Sequence, residues 1–349
     1  MTKGATLPDH YLRSALRFAL GVSASFVFAQ LINYPLAYVL PVFVGILLKE
    51  PSPLPVRLAI HAIVSTALAI ILGYCLAVLF VPYPIVFVAV FSLLLVRLYV
   101  FLLVSGAHFF ATTGVLIGCL VMPVLIKVHP EVASGVGMAI LWNVVLAVLL
   151  SWIAFVLIPV RGTTEPEPAK ALPLSAAYPL ALRFTLVAMP LFAAFLAFEW
   201  GNLLTLIFGV LYATAMNSRG GVEKGVEAMI ANLILGGLTV FLVYEVLVMV
   251  PMLIMMALLL FAVSFFYGTR IVAGGSSAQI WWSGMSAMLF LAGPALVSED
   301  VVVTAELLDR VLQILLAAVY ITLAYSVMDL VQHWYGACKM WLRKSPVKQ

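Results

Sequence analysis

Few side chains in this chain can do chemistry, and they gather at a handful of places. One is Ser105-Gly106-Ala107-His108-Phe109-Phe110. Further on stands Gly274-Gly275-Ser276-Ser277-Ala278-Gln279-Ile280-Trp281-Trp282. When Pro123 is set against Pro294, His108 falls on Gln279 and Phe110 on Trp281. Both stretches present small residues, then a polar side chain, then aromatics. Small residues let a backbone break or another helix approach closely. A helix start leaves unpaired N–H groups and a positive dipole end, which suit an anionic headgroup. The rings of Phe109, Phe110, Trp281 and Trp282 can stack on an aromatic substrate. His108 can donate a hydrogen bond or exchange a proton near neutral pH. The same residues also fit a plainer description: a polar loop capping two helices, its aromatics at a lipid interface.

Arginines form the second set. Arg17 and Arg183 sit in the repeated tetrapeptide Ala15-Leu16-Arg17-Phe18 and Ala181-Leu182-Arg183-Phe184. Each guanidinium can hold a carboxylate bidentately or snorkel to headgroups from the first turns of a span. Apolar runs flank Arg97 on both sides, and Arg270 lies in the matching region of the second half. Either these two line a polar pathway or their spans end there. Asp309 and Arg310 lead into a last long apolar helix, where Arg310 faces a cavity or marks the water boundary. Its aligned residue in the first half is Asn143. Among the carboxylates near span ends, Glu245 is the acidic candidate for proton coupling beside His108. Gly114 and Gly118 form a small-xxx-small pattern for close helix contact.

These residues are set in a very apolar chain. Of 349 residues, 65% are hydrophobic and 9% charged, and the mean hydropathy is +1.20. Soluble domains carry about 25% charged residues. A spanning helix needs about 20 apolar residues, so the length accommodates roughly a dozen spans and no large soluble catalytic domain. A net charge of +4 without a dense basic cluster argues against nucleic-acid binding. Whole apolar stretches, rather than alternation, argue against a membrane β-barrel. Cys75, Cys119 and Cys338 show no metal or redox spacing, and no phosphate loop, HExxH or nucleophile–base set is present. No cofactor and no enzymatic activity are expected.

Spans are expected near 13–33, 36–49, 56–81, 84–104, 107–127 and 136–159, then 180–199, 202–216, 222–248, 251–270, 277–297 and 302–331. The second and eighth are too short for an unbroken crossing and read as half-helices or tilted segments. The expected fold is an all-α polytopic membrane protein of about 12 transmembrane helices in two parallel six-helix repeats. Residues 1–160 make the first repeat and 179–334 the second. A cytoplasmic linker (161–178) joins them and a basic cytoplasmic tail (335–349) follows. With the N-terminus in the cytoplasm, every Lys and Arg except Lys127 and Arg310 falls at or near the cytoplasmic side, as the positive-inside rule requires. Both termini are then cytoplasmic, and the lipid bilayer is the main surround.

The Leu-Arg-Phe-Ala span, the short second span, the turn Pro51-Ser52-Pro53 before Arg57, and the arginine-led final helix resemble the fusaric acid resistance / aromatic acid exporter superfamily. The likeness covers nearly the whole chain as a pattern of spans, without the soluble cytoplasmic domains that larger exporters carry. It implies a multi-pass efflux transporter of the bacterial inner membrane. Its substrate would be a small organic anion, an aromatic carboxylate above all. Export would be proton-driven, with a periplasmic membrane-fusion adaptor as partner and room for further oligomerisation. The substrate pathway would draw on Arg17, Arg97, His108, Phe109, Phe110, Asn143, Arg183, Arg270, Gln279, Trp281, Trp282 and Arg310. An organic-anion channel of the same fold and a non-transporting membrane scaffold are the alternatives.

Overall fold

The computed structural model describes residues 9–32, 36, 38–105, 108–159, 171–198, 232–275, 277–297, 312, 316, 319–328 and 330. Almost all of these are helical, and none is in a strand. The elements are α1 (Asp9–Leu31), α2 (Val39–Leu48), α3 (Val56–Phe80), α4 (Pro84–Ser105), α5 (Phe109–Val128), α6 (Pro130–Leu157) and α7 (Leu174–Phe198). A π-helical turn, Asn232–Gly237, then runs into α8 (Leu238–Met249). It is followed by α9 (Leu253–Val272), α10 (Ala278–Val297) and α11 (Val319–Met328). Among the described residues seven helices are long and apolar enough to cross a membrane: α1, α3 to α7 and α9. The expected span at 202–216 lies outside the described residues.

Prolines and polar residues set the helix starts. Pro55 precedes α3, Pro84 opens α4, and Pro130 opens α6 at a position where the missing N–H costs nothing. Glu131 in the first turn of α6 complements the helix dipole. α6 therefore begins six residues before the purely apolar stretch does. α7 likewise starts at Leu174, within the stretch assigned to the linker.

α5 is the most buried of the long helices among the first six. Its span is 83% buried, against 22% for α3. The two pack closely because Gly114 and Gly118 face Thr66 and Ile70 of α3. Gly73 answers from the other side, against the Cys119 carbonyl. That is the carbonyl which Pro123, four residues on, leaves without its helical donor. Lipid tails give apolar helices no reason to associate, so such close fits carry the packing.

α2 is short, about 15 Å, and all ten of its residues are buried. It is a half-helix seated in protein, in contact with α1, α5, α6 and α10. Two pairings join distant segments: α1 packs along α9, and α4 packs along α7. The second of these is an aromatic zipper, with Phe91 stacked on Phe192 at 4.7 Å and Tyr99 beside Phe184 at 5.2 Å.

Candidate functional site

The start of α5 is built around His108. Its backbone is extended (φ −58°, ψ 142°), as a helix N-cap requires. Its Nδ1 accepts the Phe110 N–H at 3.2 Å, and its carbonyl oxygen accepts from the Thr112 hydroxyl at 3.3 Å. An accepting Nδ1 leaves the proton of the neutral ring on Nε2. Burial lowers the pKa of His108; nearby Glu50 raises it and Lys49 lowers it. Phe109 opens α5, and Phe110 is buried edge-on against Phe43 of α2, 5.6 Å away.

The start of α10 is made differently. Gly274 and Gly275 adopt φ of +73° and +82°, the left-handed backbone that ends α9 and that other residues resist. Gln279 follows in the first turn and is exposed. Trp281 is half-buried and meets Phe266 and Tyr267 edge-on at 5.7 and 5.9 Å. Trp282 is buried against Gly45 of α2 and Phe18 of α1, with the Lys49 ammonium 5.3 Å above its ring. The two segments aligned in the sequence thus meet a common neighbour. Phe110 packs on Phe43 and Trp282 on Gly45, two residues along the same buried half-helix.

The arginines take four different situations. Arg17 is 1% exposed, its Cζ 3.9 Å from the centre of the Phe155 ring on α6. Snorkelling is excluded for it, because a snorkelling head reaches water. Arg183 is half-buried, 5.2 Å over the Tyr325 ring of α11. Arg97 is exposed and donates to the Tyr178 hydroxyl of α7 at 3.0 Å. Arg270 is exposed and lies 5.1 Å from the Trp281 ring and 5.4 Å from that of Phe266. Arg17 of α1 and Arg183 of α7 each face an aromatic ring, a likeness that the repeated tetrapeptide alone did not contain.

The remaining candidates stand apart. Asn143 is fully buried in α6; its Nδ2 donates to the Ala139 carbonyl at 3.0 Å, while its Oδ1 has no partner. Glu245 is exposed on α8, on the face of Phe241, Leu242 and Val248. Arg310 and Asp309 lie outside the described residues.

Sequence reasoning missed Phe43, Phe155, Tyr178 and Tyr325, each found only as a partner of something already chosen. It also missed the π turn. There the Tyr267 hydroxyl donates to the Leu235 carbonyl at 2.9 Å, beside the Thr239 hydroxyl, which satisfies backbone that a wider turn leaves open. No sequence signal singled out Phe155 or Tyr325, since their spacings from Arg17 and Arg183 differ.

Helices of this length and composition define a multi-pass α-helical membrane protein. Residues 14–154, which run from α1 to near the end of α6, match the model of a family described as protein of unknown function (DUF2955). No curated protein and no solved structure matches the chain.

Proposed function

We propose that the protein is a secondary exporter of small organic anions, aromatic carboxylates foremost, in a bacterial inner membrane with both termini cytoplasmic. The observation that carries this reading is the set of cations held on aromatic rings around α1, α2 and α10. Arg17 lies on Phe155, Arg270 on Trp281, and Lys49 on Trp282. A ring satisfies the face of a guanidinium without neutralising it, so the charges of Arg17 and Arg270 stay available to an anion. The rings themselves suit an aromatic body.

The two-repeat, twelve-helix layout belongs to the same proposal. It is supported by the reciprocal pairing of α1 with α9 and α4 with α7. The family match that stops at residue 154, near the end of a six-helix unit, supports it too. His108 is the group assigned to proton coupling, since it is titratable, partly sheltered and beside Glu50. Glu245, turned outward, is the weaker of the two coupling candidates. The periplasmic membrane-fusion adaptor rests on the family resemblance alone.

The test uses the full chain in proteoliposomes loaded with radiolabelled benzoate under an imposed pH gradient. Efflux should saturate with benzoate and stop when the gradient is collapsed. His108→Ala should cut it several-fold while the protein still inserts. Wild-type efflux from that variant, or flux indifferent to the gradient, would sink proton coupling through His108.

A further inference from the structure

Arg17 sits where its protein neighbours leave its charge unanswered. The side chain is 1% exposed, and its Nε has no hydrogen-bond partner. One ring, Phe155 at 3.9 Å, covers a face of the guanidinium. Burying a cation costs far more than a single ring contact offsets. Strongly desolvated charges cluster at functional sites, where a ligand can complete them. The Phe155 contact also limits how a ligand can approach. A ring on the face leaves the edge of the fork, and the Nε–Nη edge carries two parallel N–H groups that match the two oxygens of a carboxylate.

We infer that Arg17 and Phe155 form a seat for a planar carboxylate between α1 and α6, taken in the plane of the guanidinium through its Nε edge. The seat's role rests on the transport reading above; its binding does not. α2 packs against both α1 and α6 and is apolar and buried throughout. With Arg17 itself 1% exposed, little water reaches the guanidinium, which strengthens a charge-assisted pair. Arg183 does not duplicate the seat, since it is half-buried and its ring stands off at 5.2 Å.

The experiment is thermal melting of the purified full chain in detergent, with sodium benzoate or sodium acetate against sodium chloride at equal ionic strength. Both carboxylates should raise the wild-type Tm saturably. Arg17→Met should raise the Tm of the anion-free protein and abolish the response, because it removes an unpaired buried charge. Arg17→Lys keeps the charge but not the fork, and should weaken the response roughly tenfold. Arg57→Gln, exposed at the start of α3, should respond as the wild type does. A wild type unmoved by either carboxylate overturns the seat. So does an Arg17→Met variant that still responds, or one that melts lower without anion, as a purely structural guanidinium–ring contact predicts. If Arg17→Met fails to accumulate, Arg17→Lys and Phe155→Leu decide, and wild-type responses from both overturn the seat. Carboxylate binding that depends on Arg17, with no benzoate flux, leaves the seat standing and removes the transport reading. Proton-coupled flux undiminished in Arg17→Met leaves the transport reading standing and removes the seat from its path.

Discussion

A histidine that caps a helix through Nδ1 must be unprotonated there to do so. His108 accepts the Phe110 N–H in this way, and its pKa is lowered chiefly by burial. The folded state then binds fewer protons than the unfolded one between the two pKa values. The cap's contribution is complete above the ordinary histidine value of about 6.5 and is lost as pH falls through the lower folded value. The cap is worth about 1 kcal/mol. Corrected for intrinsic exchange, hydrogen exchange at the Phe110 amide should accelerate several-fold across that window. Glu50→Gln removes a charge that raises the pKa, so the window should move further down; a window moving up, or none, contradicts the assignment. At this scale the sequence was informative about residue type and silent about partners. Nothing around Arg97 pointed to Tyr178, because the two meet only when α4 lies along α7.

Helices were legible because long apolar runs broken by Pro and charge leave one local choice in a bilayer. Their ends were less so, since α6 and α7 begin in polar or proline-flanked sequence. The small-residue pattern in α5 has a definite steric content. A Cβ on Gly114 would stand 2.5 Å from the Thr66 hydroxyl oxygen but 3.6 Å from the Thr66 Cβ. Gly114→Ala should therefore destabilise the α3–α5 pair by about 1–3 kcal/mol. Thr66→Ala in the same chain should restore most of the loss, leaving an interaction energy in a double-mutant cycle of melting in detergent. Additive losses would mean that the two residues do not meet. Even the short second span was readable as too short to cross. Its complete burial was not readable, because all-round apolarity suits lipid and protein equally.

The whole molecule depends on contacts between segments far apart in sequence. Gly268 of α9 lies against Phe18 of α1, where a Cβ on the glycine would be 3.0 Å from the ring. In a chain freed of Cys75, Cys119 and Cys338, the pair Phe18→Cys and Gly268→Cys should form a disulfide under mild oxidation. Pairing of Phe18→Cys with a cysteine at Leu258, on the exposed side of α9, should fail. The opposite pattern would turn another face of α9 toward α1. The crosslink also bears on the proposed transport, since α1 carries Arg17 on one side and meets α9 and α10 on another.

Sequence alone determined that this is a helical membrane protein with a scarce, nameable set of polar residues. Apolarity and charge placement act locally, against a bilayer of known thickness. It also marked His108, Trp282 and Arg17 as residues worth locating. Only the tertiary structure decided that α2 joins the two aromatic segments, that Arg17 is stacked and closed off, and that Glu245 faces outward. Each of those is a matter of which helix lies on which. In a bilayer, close steric fits set that rather than hydrophobicity, and a single sequence does not display them.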